Sequence, residues 1–374
     1  MVKSNNKKVI VAMSGGVDSS VAAKLLVDQG YEAVGMFLHF WKDPDLGDQE
    51  NKCCSLDALM DARRVCQKIG IPLYTLNFSE VFKKEIVDNF LAEYEIGNTP
   101  NPCVRCNKLV KLGLLVEKAK ELGFDYVASG HYARLRREIP ISKSQYPKYQ
   151  LHKAKDEKKD QSYFLHNLTQ NQLAHLIFPL ADYTKEEVRA LAKKFDLPVA
   201  SKRESQDICF LPGEHNDFLR KYLKLKPGPI KTLAGEKVGE HQGLPLYTIG
   251  QRKGVEIGGV GPFYVAKIDF KTNTLLVASE ANDQSLYSDK LTVSEVNWVS
   301  GEEPELPLTC QATIRYGHSA TACEVSSNGH KKGYLVRFSE PQRAITPGQS
   351  VVFYQVEKAG VEVLGGGIID RFDR

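Results

Sequence analysis

The stretch Ser14-Gly15-Gly16-Val17-Asp18-Ser19-Ser20 stands directly behind a short apolar run, Lys8 to Met13, and directly ahead of a helical pattern, Asp18 to Gln29, that ends at Gly30. No other feature constrains the fold as strongly. Two glycines allow a tight turn whose N–H groups face an anion, the serines add donors, and the helix presents its positive end. Asp18 is placed to hold the magnesium that accompanies a polyphosphate. An ordinary strand-to-helix turn with Ser and Asp caps has similar letters, but all seven residues together sit where a parallel sheet builds a phosphate site. No Gly-Lys-Ser/Thr follows, which excludes the Walker loop of kinases and GTPases.

The surroundings agree. Ala33 to Leu38, Leu73 to Phe78 and Tyr126 to Ser129 read as further buried strands, and Leu56 to Ile69 reads as a helix between Ser55 and Gly70, with Leu59, Ala62, Cys66 and Ile69 on one face. Phe82, Ile86, Phe90 and Tyr94 mark another helix. Strands alternating with helices mean an α/β domain with a parallel sheet. Residues 136–160, rich in charge, read as an exposed hairpin or loop, and Thr184 with Glu187 forms a capping box for a helix through Phe195. From about Gly213 the chain is rich in Gly and Pro. Past Leu291, the segments Leu308 to Tyr316, Gly333 to Phe338, Val351 to Val356 and Val361 to Ile369 suggest a small β-barrel. The expected domains are 1–210, 211–288 and 289–374, which suits 374 residues. No run of about 18 apolar residues is present, and the run Val9 to Met13 is too short for a signal peptide. A cytoplasmic protein without a membrane partner is expected. The net charge of +4 permits a nucleic-acid partner without arguing for one.

Eight cysteines in such a chain are too few for a disulfide scaffold. Cys103 and Cys106 share the loop Thr99 to Asn107 in Cys-x-x-Cys spacing, ahead of a helix. A closed zinc site would need a second pair, and the adjacent Cys53 and Cys54 make a poor one. A helix start, with Arg105 and Lys108 nearby, would favour a thiolate at Cys106. Ser205 to Phe210 carries Cys209 which, beside Ile208 and Phe210, reads by itself as a small buried hydrophobe.

The seven-residue turn resembles the PP-loop of ATP pyrophosphatases, which cut ATP between the α and β phosphates. More widely, Ala12 to Ser20, Asp61 to Arg64, Gly70 to Pro72, Asn77-Phe78, Thr99 to Asn107, Gly130 to Arg134, Asp160 to Leu165, Ser205 to Phe210 and Gly250 to Arg252 resemble, in that order, the bacterial tRNA-specific 2-thiouridylases of the MnmA family. The resemblance implies a PP-loop domain, a small central domain and a C-terminal barrel. It implies ATP contacts at Ala12, Met13, Ser14, Gly15, Gly16, Val17, Asp18, Ser19, Met36 and Gly130. Cys106 would be the nucleophile and Cys209 the persulfide carrier, while Asn101, Pro102 and Cys103 would touch the target base. His131, Lys159, Asp160, Gln161, Arg315, Tyr316 and Gln349 would contact tRNA. Many members follow the Met of the second strand with Lys-Asn-Trp, whereas this chain reads Met36-Phe37-Leu38.

The activity so implied is ATP-dependent 2-thiolation of a wobble uridine in a tRNA anticodon loop, with magnesium as the companion ion. The sulfur would come from a donor such as a cysteine desulfurase or a relay protein. A second chemistry open to the same residues is an iron–sulfur cluster on Cys103, Cys106 and Cys209. An activity of another class, a PP-loop ligase that adenylates a small acid, would need the turn but no cysteine pair.

Overall fold

The computed structural model describes residues 7–44, 55–138, 148–204, 208–211, 213–255, 262–329, 333–358 and 360–370. Most of the basic N-terminus, Cys53 and Cys54, the centre of the 136–160 segment, and Ser205 to Asp207 lie outside the described residues.

Lys8–Met13 (β1), Glu32–His39 (β2), Leu73–Asn77 (β3) and Tyr126–Ala128 (β4) are parallel strands. Arg134–Glu138 (β5) and Lys148–His152 (β6) form an antiparallel hairpin, and Leu176–Ile177 (β7) completes the first sheet in the order β3-β2-β1-β4-β7. The alternation of β1 explains its near-complete burial. Val9, Val11 and Met13 pack with helices Val17–Asp28, Leu56–Ile69 and Lys185–Lys194, while Ile10 and Ala12 pack on the opposite face with the helix that starts at Pro102. Each such buried aliphatic side chain contributes roughly 1.5–3 kcal/mol.

Local signals close the helices. The Ser55 hydroxyl accepts from the Ala58 N–H at 3.1 Å, Gly70 ends the same helix at φ 78°, and Thr184 and Glu187 form both halves of a capping box. The helical run Ser79–Glu95 contains a π-turn at Lys83–Asp88, and it buries Phe82, Ile86, Phe90 and Tyr94 as their spacing required.

Gly228–Thr232 (β8), Lys237–His241 (β9), Tyr264–Asp269 (β10) and Thr274–Ala278 (β11) form a separate sheet in the order β10-β11-β8-β9. Tyr287–Trp298 (β12), Leu308–Thr313 (β13), Thr321–Ser327 (β14), Tyr334–Arg343 (β15), Ser350–Glu357 (β16) and Gly360–Ile369 (β17) make a six-stranded antiparallel barrel, closed by pairing of β12 with β17. β6 adds to β17 through Leu151 and His152, so the hairpin joins the first domain to the barrel. The hairpin is therefore not merely an exposed excursion, since Leu151 and His152 are buried.

The strand expected over Leu308 to Tyr316 ends earlier, at Thr313. There the Thr313 hydroxyl donates to the Arg315 and His318 carbonyls at 3.2 and 3.0 Å, and Gly317 takes φ 79°. Arg315 and Tyr316 thus sit in a turn beyond the strand's end. No described helix is long and apolar enough to cross a membrane.

Candidate functional site

The turn after β1 is built as its sequence requires. Gly15 has φ 68°, and a Cβ there would run into the Ala58 carbonyl, so both the handedness and the close approach demand glycine. Gly16 caps the helix with extended backbone. The Ser19 hydroxyl reaches back to the Ser14 hydroxyl at 3.1 Å and to the Gly16 carbonyl at 3.2 Å, while Ser20 donates to the same carbonyl at 2.7 Å. Ser20 is fully buried and serves the turn, whereas Ser14 is exposed at its surface. Gly130, at the end of β4, backs onto this helix start. A Cβ at that position would lie 2.7 Å from the Ser19 nitrogen.

Around Asp18 the structure places a charged cluster that no motif announced. The Lys185 ammonium, 7% exposed, donates to both Asp18 oxygens at 2.7 and 2.8 Å and pairs with Glu204 at 2.8 Å. The Tyr132 hydroxyl donates to Asp18 at 2.9 Å, and Lys159 holds the other Glu204 oxygen at 2.7 Å. Partial burial works to raise the Glu204 carboxyl, but the hydrogen bonds from Lys159 and Lys185 outweigh it and bring it down to about 2. On the other side of the turn, Lys202 donates to the Gly15 carbonyl at 3.0 Å and to Asp61 at 2.6 Å. Asp61, Arg64, Ser201 and Lys202 border a cleft of about 400 Å³ there. Lys185, Glu204, Tyr132 and Lys202 escaped the sequence reading because each lies far along the chain from the turn it serves.

A depressed carboxyl contributes stability above its ordinary value and loses it as pH falls through the folded value. Glu204→Gln should therefore lower the unfolding midpoint at pH 7, with the difference from the parent shrinking below about 4.5 and vanishing near 2. Thermal melts across that range check the prediction.

The cysteine loop is braced from the barrel. Thr99 donates its N–H to the Pro347 carbonyl at 2.8 Å, and the Gln349 amide donates to the Thr99 carbonyl at 2.7 Å. Asn101 caps the helix that begins at Pro102, accepting from the Val104 N–H at 3.3 Å. The segment thought to be loop through Asn107 is thus helical from Pro102 onward. Cys103 lies in the first turn and Cys106 about one turn further in, 9% exposed. Arg105, read as a neighbouring charge for Cys106, is engaged by Glu85 through its side chain at 2.9 Å and its carbonyl at 2.6 Å. Cys106 and Cys209 belong to one apolar cluster, which also contains Phe82, Phe90, Phe210 and Val265 from three stretches of the chain. The two cysteines, about a hundred positions apart in sequence, thus border the same apolar cluster.

The remaining residues divide by exposure. The His131 ring is buried, bonded through Nδ1 to Ser129 at 2.7 Å, and burial holds its ionisation well below the ordinary histidine value, so it is neutral at pH 7. The Asp160 carboxylate faces inward, taking the Ala154 N–H at 2.9 Å and the Ser162 hydroxyl at 2.7 Å. Gln161 trades hydrogen bonds with the Tyr132 backbone. Lys159 and Tyr316 are the more open groups, 37% and 41% exposed, with Tyr316 leaning on Phe164 at a ring separation of 4.5 Å. Arg315 donates to Thr346 at 3.0 Å. Among the described residues, no three His, Cys, Asp or Glu side chains are grouped to hold a metal ion.

A glycine- and serine-rich turn between β1 and the next helix of a parallel α/β sheet has the build of a nucleotide-binding domain. Residues 7–213 match the model of the tRNA methyl transferase HUP domain, 216–279 that of the tRNA methyl transferase PRC-barrel domain, and 288–369 that of the aminomethyltransferase beta-barrel domain. The chain is similar to the tRNA-specific 2-thiouridylase MnmA 1 of Caldanaerobacter subterraneus subsp. tengcongensis, at 47% identity over 371 residues and 98% of each chain. The MnmA of Carboxydothermus hydrogenoformans is 47% identical over 374 residues, again 98% of each, and that of Desulforamulus reducens 45% over 375, covering 98% of this chain and 97% of the relative. The chain belongs to the MnmA family of tRNA-specific 2-thiouridylases, enzymes that act on tRNA, and its HUP domain implies use of ATP. Among solved structures, the U34-tRNA thiolase NcsA from Methanococcus maripaludis with its 4Fe-4S cluster is 21% identical over 53% of this chain and 59% of that one, at a TM-score of 0.32. A likeness so low carries nothing for the site.

Proposed function

We propose that the enzyme binds ATP along Ala12–Ser19, Met36 and Gly130, adenylates the 2-oxygen of a wobble uridine, and replaces that oxygen with sulfur carried as a persulfide on Cys209. The single observation that carries this reading is the shared apolar cluster of Cys106 and Cys209. The uracil oxygen attacks the α-phosphorus and pyrophosphate leaves. The terminal persulfide sulfur then bonds to carbon 2. Cys106 attacks the Cys209 sulfur, breaking the S–S bond and leaving its electron pair on the sulfur now held by the base, and AMP departs with the oxygen. A disulfide between Cys106 and Cys209 remains, to be opened by a cellular thiol.

Asp18 suits magnesium in one respect, since that ion is commonly held by one carboxylate together with phosphate oxygens. Binding it there would oblige Lys185 to release Asp18. Lys159, Gln161, Arg315, Tyr316 and Gln349, with His131 and Asp160 behind them, would hold the anticodon loop, whose single-stranded bases can turn out at modest cost. The sulfur donor would be a cysteine desulfurase or a relay protein, and the work would take place in the cytoplasm.

Incubating the protein with tRNA, ATP and a persulfide source, then resolving nucleosides by mass, should show 2-thiouridine derivatives. Nucleotide analysis of the same mixture should show AMP and pyrophosphate. ADP as the main product would overturn the adenylation step.

A further inference from the structure

Cys310 on β13 and Cys323 on β14 face each other directly in the strand register. Their sulfurs are 3.7 Å apart, and the residues are only 6% and 5% exposed in the barrel core. A lone buried cysteine is usually a small hydrophobe. Two that meet sulfur to sulfur across an antiparallel pair are different, because opposed side chains on neighbouring strands already stand near the separation a disulfide spans. Closing the bond needs the sulfurs to approach to about 2.05 Å, within reach of side-chain rotation.

The location gives the bond a consequence. Strands β13 and β14 are the two arms of a hairpin whose tip, the turn after Thr313, carries Arg315 and Tyr316. We propose that Cys310 and Cys323 are a redox pair whose oxidation to a cross-strand disulfide fixes this hairpin two residue pairs below its loop. That the tip meets tRNA rests on the function proposed above; the crosslink itself does not.

The chemistry balances with hydrogen peroxide as oxidant. One thiolate attacks a peroxide oxygen, giving a sulfenic acid and, with a proton, water; the second thiol displaces the sulfenic oxygen as a second water and the S–S bond forms. A dithiol reverses it by exchange. The hydrogen bond with Cys323, together with burial, pushes the Cys310 thiol far above its ordinary value, so thiolate is scarce and the reaction runs slowly.

The full chain is treated with hydrogen peroxide for increasing times, quenched by alkylation and mapped by peptide mass. The expected product is a Cys310–Cys323 linked peptide lacking the mass of two hydrogen atoms, lost again on treatment with a dithiol. Amide hydrogen exchange over residues 311–322 should slow several-fold in the oxidised protein, with no change in β1 and β2. Cys323→Ser should give no such peptide, and Cys323→Val serves the same purpose if the serine variant fails to fold. The proposal is overturned if either cysteine goes to sulfinic or sulfonic acid without crosslinking, or if both stay reduced through the longest exposure, long after Cys106 and Cys209 have reacted. A crosslink that leaves exchange unchanged overturns the bracing role.

Discussion

Cys106→Ser and Cys209→Ser are each expected to reduce tRNA thiolation by at least about a thousandfold, the order seen when a nucleophile is removed from a working site. Pyrophosphate release in the presence of tRNA should persist for at least one turnover, because adenylation precedes any sulfur attack. Folding should survive, since serine replaces sulfur in a side chain of nearly the same shape. Cys66 is the internal control: it is buried at 1% exposure, burial alone pushes its thiol up to about 12, and Cys66→Ala should thiolate nearly normally. Cys103→Asp should also retain most activity, because the proposed chemistry asks nothing of its sulfur. Thionucleoside analysis and a pyrophosphate assay on the same four variants decide the matter. If Cys103→Asp were as inactive as the other two, a two-cysteine mechanism would be untenable.

What the sequence revealed depended on how local the cause was. β1 came out residue for residue because its apolar run is bounded on one side by lysines and on the other by the turn. The helix Leu56–Ile69 came out equally well because Ser55 and Gly70 are local punctuation. β7 was not foreseen; two residues paired with β4 leave no periodicity to detect. The helix start at Pro102 was hidden by two prolines in a segment that reads as loop, although proline suits the first helical position. Cys209 reads as a packed hydrophobe and is indeed partly buried among apolar neighbours, but only the fold shows that Cys106 belongs to the same apolar cluster. The charged cluster was the least legible part. Asp18, Tyr132, Lys159, Lys185 and Glu204 are spread over most of the first domain, and an ion pair between distant residues has no period, spacing or composition that betrays it.

Lys185 carries the second large effect. Its ammonium is nearly sealed from water between two carboxylates, Asp18 at 2.7 Å and Glu204 at 2.8 Å. In Lys185→Met the apolar stem is kept and the charge removed, so the two acids lose the cation that they share. Breaking a fully buried pair costs roughly 3–5 kcal/mol. Asp18 and Glu204 are 32% and 23% exposed, so water recovers part of the loss and about 2–3 kcal/mol of the first domain's stability should go. Glu204→Gln removes in advance one of the two carboxylates that share Lys185, so the double variant should lose clearly less than the sum of the two single losses. A simple packing role for the lysine stem predicts additive losses instead, because methionine fills the same space in both backgrounds. Urea unfolding of the parent, the two single variants and the double variant at pH 7 gives the comparison. Strict additivity would mean that Lys185 does not hold Asp18 and Glu204 as one unit, and that the arrangement of Asp18 beside the phosphate turn has another cause.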